Sequence, residues 1–450
     1  MRWAKWLGSA LAWLGGLLFT IFGIFTNHPV LLSLRGVGDV LIFATSLVMI
    51  ALLWRCGCWK RAGLAGRWLL LLWCLPPLSM LSAHASFEIV RKNVLQTDPA
   101  LAQSLGRHFI VGYSSFDEVA KLAEKGLIAG VYVSRSNVAR RKPAVIKAEI
   151  AALQERRRRA GLPPLIVAAD QEGGVVSHLS PPLPMQRPLS AFADLAPDIR
   201  AHKAEEYGRI QGRELAALGI TLDFAPVLDL KPKASRKHFD LNTMTRERAI
   251  SDDPSVVSDV ARAYVRGLES SGVGATLKHF PGLGRVQHDT HLVSANLDTP
   301  IDELEASDWR PFKEVLATSK ADLMIGHVNL TKVDPDRPAS HSKAVIDGII
   351  RKKWNFQGVI ITDDLVMGAV YGRNICSAVV EALNAGVDLL LVAFDSDQFY
   401  RIFTCASDAA VAGKLDQDML MQSDARLELN FRKAATPTSP PAADAPPTGE

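Results

Sequence analysis

Hydrophobic and polar positions divide the chain into three regimes. Up to about residue 85, apolar residues run on with almost no polar alternation, in three stretches: Trp6–Phe25, Val37–Trp54 and Trp68–Ala83. The first two reach the roughly 20 residues a helix needs to cross a bilayer. The third is shorter and holds Pro76-Pro77, so a kink, a tilt or partial insertion is expected; its end, Ala83-His84-Ala85, also resembles a signal-peptidase site. From residue 105 the pattern changes to short apolar runs separated by helix-length amphipathic segments. The runs are 108–113, 128–134, 165–170, 221–229, 275–280, 323–328, 358–364 and 389–395. Runs apolar on both faces suit parallel strands covered by helices on either side. Eight of them alternating with helices predict a (β/α)8 TIM barrel, an α/β fold preceded by N-terminal transmembrane helices. An open doubly wound sheet would be the other α/β solution, but no Gly-x-Gly-x-x-Gly follows the first strand. A helix is expected over 201–218, and another opens at Asp253-Pro254 with Ser251 or Asp252 as its cap. Past a helical segment ending near residue 432, the tail is rich in Pro, Ala, Thr and Ser and reads as disordered. The expected organisation is a membrane region over 1–85, a barrel domain over 86–433 and a tail over 434–450.

Loop charges give an orientation. Arg2 and Lys5 precede the first stretch, Arg55, Lys60, Arg61 and Arg67 separate the second from the third, and only Arg35 lies between the first and second. By the positive-inside rule the N-terminus is cytoplasmic, and three crossings put the barrel domain outside. The expected location is therefore a bacterial inner (cytoplasmic) membrane with the domain facing the periplasm. The net charge of +4 over 450 residues is small and scattered, which argues against a nucleic-acid partner. The one dense basic run, Arg156–Arg159, ends an amphipathic segment and reads as a solvated helix end. Five cysteines show no disulfide framework, and Cys56-x-Cys58 has no partners at zinc spacing; Cys376 and Cys405 pair only if the fold brings their Cα atoms within about 7 Å.

Candidate chemistry gathers where the strands end, the face on which barrels of this kind carry their sites. The third run ends in Asp170-Gln171-Glu172-Gly173-Gly174, the fourth carries Asp223 and Asp229, the fifth ends in Lys278-His279, the sixth in His327, and the seventh in Thr362-Asp363-Asp364. A single Asp after a strand is commonly a helix cap, but several charged ends on one rim need a use. Carboxylates beside a Lys-His pair hydrogen-bond vicinal hydroxyls well, and a second carboxylate can attack an anomeric carbon while an acid protonates the leaving oxygen. The turn Pro281-Gly282-Leu283-Gly284 leads to Asp289-Thr290-His291, a spacing that lets the carboxylate hold one imidazole nitrogen while the other faces a substrate. His279, His288, His291 and His327 lack the spacing of a helical zinc site, and no phosphate-binding loop is present. No cofactor or metal is expected. The residues alone reach a barrel enzyme acting on a polyol.

Set in order, Asp170-Gln-Glu-Gly-Gly174, Leu222-Asp-Phe-Ala-Pro-Val-Leu-Asp229, Lys278-His-Phe-Pro-Gly282 with Asp289-x-His291, Pro338-Ala-Ser340, Ile361-Thr-Asp-Asp-Leu365 and Asn384-Ala-Gly-Val-Asp388 resemble glycoside hydrolase family 3. The resemblance covers about residues 100–405 and is greatest to the family's single-domain β-N-acetylglucosaminidases, or β-hexosaminidases. It implies a retaining mechanism with Asp363 as nucleophile, His291 as general acid/base and Asp289 orienting it. Substrate binding would fall to Asp170, Arg248, Lys278 and His279, with His178 at a place where the family carries arginine. The carbohydrate partner would be a glycan with terminal β-linked N-acetylglucosamine, such as a peptidoglycan fragment, and the bilayer would hold the anchor. The pattern breaks at Leu283, where the family has histidine, at Val175 and His178, and at Ala249-Ile250. Those breaks leave open a weakened, glycan-binding protein, or a β-glucosidase or glycoside phosphorylase on the same site.

Overall fold

The computed structural model describes residues 2–232, 243–371 and 374–435. The expected tail falls almost wholly outside them. The chain divides into two compact units, Met1–Gln96 and Thr97–Glu450.

In the first unit three helices, Arg2–Phe25, Val37–Arg55 and Gly63–Leu95, are long and apolar enough to cross a membrane. The third runs 33 residues, through Pro76-Pro77 and on past Ala83-His84-Ala85. The first and third approach closely because Gly15, Gly16 and Gly23 present no side chain to Trp73, Leu72 and Ser79. The Trp73 indole N–H donates to the Ala12 carbonyl at 3.0 Å, so the one polar atom of that ring is satisfied.

In the second unit all eight apolar runs become strands of one closed parallel barrel. They are β1 Phe109–Gly112, β2 Gly130–Tyr132, β3 Ile166–Ala169, β4 Leu222–Asp223, β5 Gly274–Phe280, β6 Asp322–Ile325, β7 Ile360–Asp364 and β8 Leu389–Val392. Each pairs with its sequence neighbours, and β1 closes on β8. The interior is filled by Ile110, Tyr132, Phe224, Met324, Ile361 and Leu391 among others, the layered packing that makes such a barrel solid. Two short pairings add to it: an antiparallel hairpin of Gln171–Gly173 with Val176–Ser177, and Ala295–Leu297 beside Val328–Leu330. The hairpin turn needs positive φ at Gly173 (84°) and Gly174 (64°), which explains the Gly-Gly of the third strand end.

Local expectations meet three corrections. The helix placed at 201–218 begins earlier, at Pro197. The cap of Pro254–Glu269 is Asp253, whose carboxylate accepts from Ser255 N at 2.8 Å, not Ser251 or Asp252. Pro254 occupies the first helical position, so the cap must directly precede it. Within Arg156–Arg159, Arg157 is buried and donates to the Ala123 and Pro163 carbonyls; its neighbours pair with Glu124 and Glu155.

Helix Gln417–Ala435 reaches the start of β8. Asp388 accepts from Ser423, Arg426 and Arg351, and Leu427 joins the barrel core. Cys376 on helix Ile375–Ala385 is bonded to Cys405 on helix Gln398–Val411, with Cα atoms 5.0 Å apart, and Cys56 is bonded to Cys58. A loop closed across 29 residues is stabilised by about 3 to 4 kcal/mol through the entropy of the unfolded chain. Reduction, or Cys405→Ala, is expected to lower the unfolding free energy by about that amount. Chemical denaturation with and without reductant checks this; coincident curves would show that the cysteines are unpaired in solution.

Candidate active site

Most residues singled out from the sequence lie at, or in the segments after, the C-terminal ends of barrel strands. Asp170 follows β3, Lys278 and His279 belong to β5, and Asp363 and Asp364 end β7. His178 follows the hairpin after β3, and Arg248 closes the short helix Thr245–Arg248. Asp289 and His291 lie on the loop after β5.

The two adjacent aspartates have different fates. Asp364 is buried and accepts from three backbone N–H groups: Val366 (3.1 Å) and Ala393 (3.2 Å) on Oδ1, Phe394 (2.7 Å) on Oδ2. Burial pushes its carboxyl up to about 6 against those bonds, with Asp363 pushing the same way. It ties the end of β7 to the end of β8. Asp363 is only partly buried, and one oxygen accepts the Asp364 N–H at 2.8 Å. Its other oxygen has no protein hydrogen-bond partner among the described residues. Burial would raise its pKa, but the imidazoles of His279, His327 and His291 outweigh it and hold the carboxyl below the usual range. A partly exposed, ionised carboxylate with an unengaged oxygen has the attributes of a nucleophile. His327 is itself locked, between the Ser340 hydroxyl (2.7 Å) and the Asp364 carbonyl (3.0 Å).

Among the described residues, the His291 ring is held on one side only. Its Nδ1 lies 3.0 Å from Asp289 Oδ1 and 3.1 Å from Thr243 Oγ1, and Thr243 donates to that same Asp289 oxygen. Asp289 is buried, while the His291 side chain is 38 % exposed. The carboxylate therefore fixes the proton on Nδ1 and leaves Nε2 for a ligand. The loop is docked on the turn after β7: Gly368 N donates to His291 O (2.9 Å) and Ala369 N to Thr290 O (3.3 Å). A Cβ at Gly368 would stand 2.5 Å from Leu292 O and 2.8 Å from His291 O. Gly368→Ala must then push the imidazole away from the strand carrying Asp363. Since a displacement of 1 Å in a reacting group can cost about 10²-fold, a turnover loss of roughly that size is expected in the folded variant, alongside a lowered melting temperature. Wild-type turnover in this variant would show that the loop's seat does not matter.

A compact charge network adjoins these groups. Lys278 Nζ contacts Asp170 Oδ1 and, at 2.6 Å, Glu172 Oε1. Arg248 makes a two-pronged pair with Glu172 (2.9 and 2.6 Å), donates to Thr243 O (2.8 Å) and approaches His279 Nε2 at 3.4 Å. Two cations face two carboxylates, so the buried charges are compensated. Burial opposes ionisation in all four, yet Asp170 and Glu172 are held low by the cations, and Lys278 and Arg248 are held high by the carboxylates. Asp170 is the partly exposed member, its side chain 19 % accessible. His279 is oriented by Asp229, 2.7 Å from its Nδ1, and Asp229 also accepts Leu283 N at 2.7 Å. Leu283 is thus buried and tied to the fold through its backbone. Asp223 is no rim group: it accepts from Gln171 N, Gln211 and Tyr264 inside the fold.

Sequence reasoning left out Glu172, Tyr132 and Thr243 as site members. Glu172 sat in plain view inside Asp170–Gly174. Tyr132 is an aromatic residue in an apolar strand, and Thr243 a polar residue in a loop, so neither carried a signal.

Residues 99–429 match the family described as the glycosyl hydrolase family 3 N terminal domain. The chain is 36% identical to a β-hexosaminidase of Nitrosomonas eutropha over 247 residues, 54% of this chain and 68% of that one. It is 37% identical to a β-hexosaminidase of Xylella fastidiosa over 269 residues, 59% and 76% of the two chains. Among solved structures, a family 3 β-N-acetylglucosaminidase of a Paenibacillus species superposes with a TM-score of 0.67 at 28% identity, covering 77% of this chain and 66% of that one.

Proposed function

The chain belongs to glycosyl hydrolase family 3, and from that premise we propose that it is a membrane-anchored, retaining exo-β-N-acetylglucosaminidase acting on cell-wall glycan fragments. The observation that carries this reading is that, among the described residues, one Asp363 oxygen is unengaged and the His291 ring is held on its Nδ1 side only.

In the first step an Asp363 oxygen attacks the anomeric carbon and the bond to the leaving oxygen breaks, while the protonated Nε2 of His291 gives that oxygen its proton. Asp363 is then esterified to the sugar and His291 is neutral. In the second step water attacks the same carbon, His291 Nε2 takes its proton, and Asp363 leaves as carboxylate. Two displacements return the original β-configuration. Asp170, with Lys278 behind it, offers acceptors to sugar hydroxyls, and the Glu172–Arg248–Thr243 chain couples that end of the site to the Asp289–His291 pair. Nearby β-hexosaminidases and the Paenibacillus β-N-acetylglucosaminidase support N-acetylglucosamine as the terminal sugar.

Three apolar helices support the anchor. Arg2 and Lys5, with Arg55, Lys60, Arg61 and Arg67, support a cytoplasmic N-terminus and a periplasmic domain. The test is hydrolysis of 4-nitrophenyl N-acetyl-β-glucosaminide by the detergent-solubilised full chain, beside the matching glucoside. Release from the N-acetylated substrate is expected; turnover of the glucoside alone would defeat the assigned sugar.

A further inference from the structure

Tyr132 stands inside the barrel on β2, stacked on Phe224 with centroids 6.0 Å apart. Its hydroxyl donates to Asp170 Oδ2 at 2.7 Å and lies 2.8 Å from His178 Nδ1. Asp170, ionised beside Lys278, can only accept. A phenol has one proton, so once it is given to Asp170 the oxygen can only accept in turn. His178 must therefore carry its own proton on Nδ1. Burial lowers the His178 pKa, Lys278 and Arg135 adding to it against Asp170 and Glu172, so the ring is neutral and Nε2 bears a lone pair. The ring is partly exposed, and Nε2 has no protein partner among the described residues. The hairpin fixes the residue from behind, with His178 N donating to Asp170 O at 3.0 Å.

We propose that the chain Asp170–Tyr132–His178 is a specificity device that locks the His178 tautomer and presents Nε2 as an acceptor for a hydroxyl of the terminal sugar, next to the one Asp170 receives. This deepens the hydrolase reading and rests on it. The locked acceptor sets a polarity that the flexible, donor-only guanidinium of an arginine cannot supply. It selects a sugar with a free hydroxyl at that position and rejects one capped there.

Two variants separate the device from simple packing. His178→Asn keeps a donor for Tyr132 but stops short of the far nitrogen. Tyr132→Phe keeps the ring on Phe224 and removes the relay. Binding of N-acetylglucosamine and of its 3-, 4- and 6-deoxy analogues to the full chain would be measured by calorimetry, which needs no turnover. A single neutral hydrogen bond predicts roughly five- to tenfold weaker binding of the parent sugar by either variant. One deoxy sugar should bind wild type and His178→Asn alike. With the aryl glycoside, the loss should appear in KM and leave kcat within about twofold, as uniform binding requires. An equal penalty for all four sugars, or none, would overturn the proposal. Normal binding of N-acetylglucosamine with no hydrolysis of the aryl glycoside would sink the hydrolase reading instead, and a wild type that binds none of the sugars would sink both.

Discussion

Asp363→Ala is expected to reduce kcat/KM on the aryl N-acetylglucosaminide by about 10⁴-fold or more, because the covalent route loses the group that makes the bond. The adjacent carboxylate should not rescue it. Both Asp364 oxygens are occupied by the N–H groups of Val366, Ala393 and Phe394. The two positions are separable by stability. Asp363 gives up one short-range bond to its neighbour's N–H, so Asp363→Ala should melt close to wild type. Asp364→Ala would strand the buried Val366 donor and the part-buried Ala393 and Phe394 donors, and lower stability by about 1–3 kcal/mol or more. Equal destabilisation by both, or residual activity in Asp363→Ala within tenfold of wild type, would contradict the assignment. The sign of the pKa shift adds a pH expectation. A nucleophile held below the ordinary carboxylate value stays ionised as pH falls through about 4. Its protonation therefore contributes loss of activity only below that value.

The second large effect belongs to His291. His291→Ala should cost roughly 10²- to 10⁴-fold on a natural β-linked disaccharide, the usual contribution of a general acid–base group. On 4-nitrophenyl glycosides the loss in the first step should be smaller, since a stable phenolate departs with little need of a proton. The second step still lacks its base, so the glycosyl-enzyme should accumulate and azide should speed turnover by forming the β-glycosyl azide. The alkaline limb of the rate profile, set by loss of the acid's proton, should disappear. Asp289→Asn leaves the ring without its carboxylate while Thr243 still holds it, so its loss should be smaller than that of His291→Ala. A His291→Ala enzyme equally slow on activated and unactivated leaving groups, and deaf to azide, would remove the residue from proton transfer.

Much of this architecture was legible because burial on both faces leaves a mark in the sequence. Phe109–Gly112 and Leu389–Val392 are apolar at every position but one, as strands covered inside and out must be. The polar ends Asp170, Lys278-His279 and Asp363-Asp364 stood out against those runs. Hydropathy failed where hydrogen bonding rather than solvent decides. The helix begun at Gly63 continues through polar residues to Leu95, twelve beyond the end of its apolar stretch, because backbone bonds do not need an apolar face. Tyr132 passed for core because its ring is core; only its hydroxyl belongs to the site. The Cys376–Cys405 pair depends on how two helices lie side by side, which spacing along the chain does not encode.

The most direct test is to trap the intermediate. The full-length protein would be incubated with a 5-fluoro N-acetylglucosaminyl fluoride, whose second fluorine slows both displacements while the first leaves readily, then digested and read by mass spectrometry. A glycosyl adduct on Asp363, absent from Asp363→Ala, is the predicted result. Turnover with a first-formed α-product and no adduct, or a label carried by another carboxylate, would contradict the retaining mechanism on Asp363.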